Sequence, residues 1–103
     1  MTLEEFRATL SHDEPPRQVS VALQALWWDA KGNWKQSHEV AQQDEGPAAA
    51  WVHAYLHRKE GDSADARYWY KRADKTPAVG QFEQEWLQIV ESLLAGTGPN
   101  FIR

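Results

Sequence analysis

Residues 53–73 read HAYLHRKEGDSADARYWYKRA, and the way this stretch divides decides the fold. Glu60-Gly61-Asp62 in its middle is punctuation. Gly61 suits the left-handed position just past the end of a helix, and Asp62 is a strong N-cap for the next one. Upstream, His53 and His57 stand four residues apart, one helical turn, and so share a face. Downstream, Ala66, Tyr70 and Ala73 recur every three or four residues, the period of a buried helical stripe. The stretch is therefore two helices joined by a tight turn, with a histidine pair just before that turn.

The same punctuation occurs earlier, where Gly32 is followed by Asn33 as a cap and Gln36 stands three residues on. A helix expected over about 17–31 carries Val19, Leu23, Leu26 and Ala30 along one stripe. The helix after the turn points Trp34, Ser37, Val40 and Ala41 inward. DEGP, 44–47, stops that helix and offers Pro47 as the first residue of a fourth, which reaches about residue 60. A fifth covers roughly 63–74, and DKTPAVG, 74–80, ends it. The last helix, about 81–95, has a stripe of Phe82, Trp86, Ile89, Val90 and Leu93, with Gly96 as its stop. At the other end, Leu3, Phe6 and Leu10 form one face of a short helix, and Thr2 with Glu5 has capping-box spacing. Pro15 and Pro16 in SHDEPPRQ close it. TGPNFIR, 97–103, reads as a tail that docks only if Phe101 and Ile102 find a groove. No segment has the pattern of a strand. The expectation is one all-α domain of five to six helices: hairpins at about 17–45 and 47–75, then a capping helix at about 81–95.

The two hairpins are copies. With Gly32 aligned on Gly61, a shift of 29 residues, Ala25 falls on Ala54, Asn33 on Asp62, Ser37 on Ala66 and Ala41 on Tyr70. Small residues at matching places on successive helices let their backbones approach closely. In this pattern the chain resembles the tetratricopeptide repeat. Ala54, Gly61-Asp62, Ala66, Tyr70, Ala73 and Pro77 match the second copy. Ala25, Gly32-Asn33, Trp34, Ser37 and Ala41 match the first, with Asp44 where a small residue is usual. The family repeats about every 34 residues, so the junction around QQDEGP is shortened. The resemblance implies stacked antiparallel hairpins and a protein-interaction scaffold without catalytic residues. WWDAKGNWKQSHE and HAYLHRKEGD also resemble a group of small bacterial proteins, a likeness that brings no activity with it.

Composition removes several classes. The chain has 103 residues, enough for one core, and a 42% hydrophobic, 25% charged make-up typical of a globular domain. A net charge of -4 argues against a phosphate-backbone binder, so no nucleic-acid partner is expected. Without cysteine there is no disulfide, thiolate nucleophile or thiolate metal site. No apolar run approaches the roughly 18 residues of a membrane span, and MTLEEFRATL lacks the basic start and apolar core of a signal peptide. A cytoplasmic protein is expected.

Two sets of residues remain as candidate sites. His53 and His57 can share a metal ion, with Glu60 near the same face and His38, or Glu39 beside it, reaching from the preceding helix. Neutral imidazoles with a carboxylate suit Zn²⁺, Ni²⁺ or Fe²⁺. Ala54 stands where the HExxH motif has its glutamate, so that motif is absent. The reading the sequence favours is instead that the histidines pack against neighbouring helices, each donating to a carboxylate or carbonyl. Ser37, His38 and Glu39 are adjacent on a helix, point to different faces, and form no triad. Arg58 has Asp62 four residues ahead as a candidate ion-pair partner.

The second set is aromatic. Trp27-Trp28 and Tyr68-Trp69-Tyr70 cannot each put all their rings on one side, because helical neighbours are about 100° apart. Trp34 and Trp69 are expected in the core. Trp27, Trp51, Tyr55 and Tyr68, with Arg58, are expected to form an exposed binding surface for a protein or peptide partner or a second copy of the chain. The first functional expectation is therefore a small helical binding module with no cofactor. The alternative is a metal-binding protein or metal-dependent hydrolase using His38, His53, His57 and Glu60, with a divalent ion such as Zn²⁺. Convergence of the imidazoles from the two hairpins separates these two readings.

Overall fold

The computed structural model describes residues 1–96, and the expected docking of Phe101 and Ile102 lies outside them. Among the described residues the chain forms six α-helices and no strand: α1 (Leu3–Ala8), α2 (Val21–Ala30), α3 (Trp34–Ala41), α4 (Pro47–Lys59), α5 (Ser63–Ala73) and α6 (Phe82–Ala95). A short 3₁₀ turn, Thr9–Ser11, extends α1. The all-α expectation holds.

Both hairpin turns are built as read. Gly32 and Gly61 take φ of 83° and 87°. A Cβ at either position would meet no atom within 4 Å, so it is the left-handed backbone that requires glycine there, not space. The Gly32 and Asn33 amides donate to Asp29 and Trp28, and the Gly61 and Asp62 amides donate to Arg58 and His57. These are matching Schellman closures. The Gln36 amide donates to Asn33 Oδ1 at 3.1 Å and the Asp65 amide to Asp62 Oδ1 at 3.2 Å, starting α3 and α5. The α2–α3 and α4–α5 interfaces are the most extensive in the molecule. Ala25, Ser37, Ala54 and Ala66 are all buried in them, and the Ser37 hydroxyl donates to the Ala25 carbonyl at 2.6 Å.

Local details differ from expectation in three places. α2 starts at Val21, not near residue 17, because Ser20 caps it by accepting from the Leu23 amide. Ala30 is exposed at its end, and Val19 lies before the helix, packed against the core. Phe82 opens α6 and is 40% exposed, its ring lying under the Arg58 guanidinium rather than in the buried stripe. Trp86, Ile89 and Val90 do form that stripe.

The larger correction concerns the aromatic surface. α4 packs against α2, α3, α5 and α6 at once, and every residue from Ala49 to Leu56 is buried. A helix enclosed on all sides has no free face. Trp51 and Tyr55, expected outside, are therefore inside. Trp27 is fully buried for a related reason: α2 is covered by α3, α4 and α6, and the indole N–H donates to the Thr9 hydroxyl at 3.0 Å. Arg58 turns away from Asp62. It donates to Glu85 Oε1 at 3.1 Å and to the Gly80 carbonyl.

Two buried phenols complete the polar interior. The Tyr70 hydroxyl donates to Glu85 Oε2 at 2.6 Å, so Glu85 joins α5, α6 and Arg58 of α4. The Tyr55 hydroxyl donates to Asp29 Oδ2 at 2.6 Å, and Lys59 donates to Asp29 Oδ1 at 2.9 Å. Burial and the adjacent carboxylates hold both phenols protonated, well above the usual tyrosine range. The two arrays tie α2, α5 and α6 to the central helix.

Candidate metal centre

α3 supplies His38, and α4 supplies His53 and His57 one turn apart. The Trp34 indole N–H donates to the Leu56 carbonyl at 3.0 Å, which pins the first turn of α3 against α4. One turn further along α3, His38 is carried over the 53/57 pair. A nitrogen from each of the three rings lies within 4.8 Å of the other two. The His38 ring stands nearly perpendicular to the other two, its centroid 5.0 Å from His53 and 5.3 Å from His57. His53 and His57 are near parallel, with centroids 6.3 Å apart. Tryptophans brace the group: Trp34 stacks on His38 at 5.0 Å, and Trp69 on His53 at 4.2 Å.

The polar accounting of this cluster is incomplete. His53 Nδ1 and His57 Nδ1 are buried and have no hydrogen-bond partner. An orphaned buried nitrogen typically costs about 1–3 kcal/mol, and native interiors rarely tolerate one without a use. The one on His53, within a cluster of three imidazoles, suits a Lewis acid, while His57 Nδ1 faces the carboxylates of Glu60 and Asp62 at 3.9 Å. The histidine packing reading required each ring to donate to a carboxylate or carbonyl. The Ala41 backbone lies near enough to act on the His53 ring, yet Nδ1 makes no hydrogen bond.

Electrostatics favour neutral rings. Burial first, then the His38 and His57 imidazoles, push His53 down to about 4. Burial, then His57, also lowers His38. Both rings thus offer lone pairs at neutral pH. A stability effect follows for metal-free protein. The unfolded His53 ring protonates near pH 6.5, but the folded ring only near pH 4. Its contribution is whole above pH 6.5 and is lost as the pH falls through about 4. His38 acts in the same direction. Urea unfolding at pH 5 should give a stability about 2 kcal/mol below that at pH 7, with much of the difference absent in His53→Gln. Equal stability at both pH values in the wild type would contradict it.

Of the residues singled out from the sequence, the structure brings together His38, His53 and His57. It does not bring Glu60 into that set; its Oε1 lies 3.9 Å from His57 Nδ1. Glu39 is exposed and outside the group. Tyr68 alone of the proposed aromatic surface is exposed, at 54%. Trp34 and Trp69, expected as core, are half-buried and serve as walls for the histidines. The spacing of Trp34 and His38, four apart on α3, was a readable signal for the first stack. Trp69 had none. A cavity of about 340 Å³ beside His53 is lined by Gln42, Asp44, Trp69 and Arg72 among others.

No protein-family model, curated protein or solved structure matches the chain. Its chemistry rests on these side chains alone.

Proposed function

We propose that the protein binds one divalent transition-metal ion, with His38, His53 and His57 as ligands. The observation that carries this is the approach of three imidazole nitrogens, drawn from two helices, to within 4.8 Å of one another. Ligand nitrogens on a four-coordinate ion sit about 2.0–2.1 Å from it, so small side-chain rotations complete the set. An all-imidazole donor group fits Zn²⁺, Ni²⁺ or Fe²⁺ and disfavours Mg²⁺ or Ca²⁺, which take oxygen. Three protein ligands leave one position open, the donor count of catalytic rather than structural zinc. A metal-dependent hydrolase is the extension of this reading.

The test is elemental analysis of tag-free protein followed by calorimetric titration with Zn²⁺, Ni²⁺ and Fe²⁺. One ion per chain at sub-micromolar affinity is expected. His38→Ala should weaken it at least about 100-fold, since one of three ligands is gone. That position is half-buried, so the variant keeps its core. No stoichiometric uptake, with stability unchanged by a chelator, overturns the proposal.

A second reading, a helical interaction module for a protein, a peptide or a second copy of the chain, draws on different observations. The paired hairpins and their small-residue seams support the resemblance to tetratricopeptide repeats. The exposed Tyr68 ring, with Arg72 5.9 Å from its centroid, is of the kind that anchors partners. This surface is smaller than the sequence suggested, because Trp27, Trp51 and Tyr55 are withdrawn from it. No helix among the described residues is long and apolar enough to cross a membrane.

A further inference from the structure

The two hairpin turns share one backbone and one capping bond, yet differ in charge: Asn33 caps the first helix and Asp62 the second. Capping does not explain the difference, because asparagine and aspartate are equivalent caps. Here they accept at nearly the same distance, 3.1 and 3.2 Å. Among the positions that also differ between the two turns is the residue four before the glycine. It is Trp28 in the first hairpin and His57 in the second.

Asp62 has one oxygen to spare. Its Oδ1 accepts from the Asp65 amide, and its Oδ2 lies 3.9 Å from His57 Nδ1. That nitrogen is buried and unpartnered. A charge-assisted hydrogen bond is about 2.8 Å long, so a modest turn of the ring closes the gap. Glu60 Oε1 is equally distant, but its side chain is 53% exposed against 41% for Asp62, and no hydrogen bond holds it in place. Fixing a free glutamate costs more side-chain entropy than using an aspartate already held by its cap.

We infer that Asp62 is a positioning residue for the centre: its Oδ2 accepts the Nδ1 proton of His57 and so leaves the Nε2 lone pair for an ion shared with His38 and His53. This rests on the metal reading above. Carboxylates in that position fix the tautomer and raise the basicity of the ligating nitrogen, and their loss typically weakens metal affinity by about 10–100-fold.

Asp62→Asn is the test, in the full chain. It keeps the capping oxygen but presents an NH₂ group to His57, which favours the opposite tautomer. In metal-free protein near neutral pH, ¹⁵N shifts of the imidazoles should show His57 protonated on Nδ1 in the wild type and on Nε2 in the variant. Zn²⁺ affinity should fall about 10–100-fold, with the thermal midpoint of the metal-free protein unchanged. Glu60→Gln should alter neither the tautomer nor the affinity. An unchanged tautomer in Asp62→Asn, Zn²⁺ affinity within about twofold of wild type, or the effect appearing at Glu60→Gln instead overturns the inference. If the wild type takes up no Zn²⁺, the metal reading fails, while the tautomer comparison still decides the role of Asp62.

Discussion

Replacing Glu85 by alanine should destabilise the protein by about 3–5 kcal/mol, the usual result of removing one partner from a buried charged pair. Glu85 is 3% exposed, and both of its oxygens are in use. Its loss leaves the Tyr70 hydroxyl without an acceptor and the Arg58 guanidinium with only the Gly80 carbonyl. It also removes the polar tie between α6 and the α4–α5 hairpin. Glu85→Gln keeps the shape and one acceptor oxygen, so it should cost less than half as much. Urea titration followed by tryptophan fluorescence reads both. Equal and small losses for the two variants would mean that Arg58 and Tyr70 are satisfied by water instead.

The second large effect is metal-linked. A ligand that binds only the folded state stabilises it by about 4 kcal/mol at a thousandfold excess over Kd. For a chain of 103 residues that moves the thermal midpoint by well over about 10 °C. Zn²⁺ should produce this shift, a chelator should reverse it, and His38→Ala at the same Zn²⁺ concentration should cut it to about a third or less. Because His53 is already neutral down to about pH 4, no proton has to be displaced from that ring at pH 6. A shift of similar size in His38→Ala would place the ion elsewhere on the chain. No shift in the wild type would leave the orphaned His53 Nδ1 as a packing cost.

What could be read from the chain divides along a physical line. Gly32-Asn33 and Gly61-Asp62 were legible because turn chemistry is local: a left-handed residue followed by a side-chain cap specifies itself. The alanine and serine seams were legible because the repeat doubled the signal. Trp51 and Tyr55 were misplaced because their burial depends on how many helices surround α4, which no local period encodes. Arg58 was given Asp62 as partner, its neighbour in sequence. Its actual partner, Glu85, comes from α6, whose docking is a long-range fact. The histidines fall between these cases. The spacing of His53 and His57 announced a shared face, but the arrival of His38 depended on α3 lying across α4, held by the Trp34–Leu56 hydrogen bond. Glu60 was grouped with them by sequence proximity, and its carboxylate stays outside the set of converging nitrogens, 3.9 Å from His57 Nδ1.

The enclosure of α4 also sets a time scale. Four helices must separate from it before its backbone meets water, so its amides should exchange with deuterium only through opening of the whole domain. α1 and the segment between α5 and α6 should exchange first, through local opening. Two of the three histidines ride on that slowest helix, which makes the frame beneath the cluster the last part of the protein to loosen.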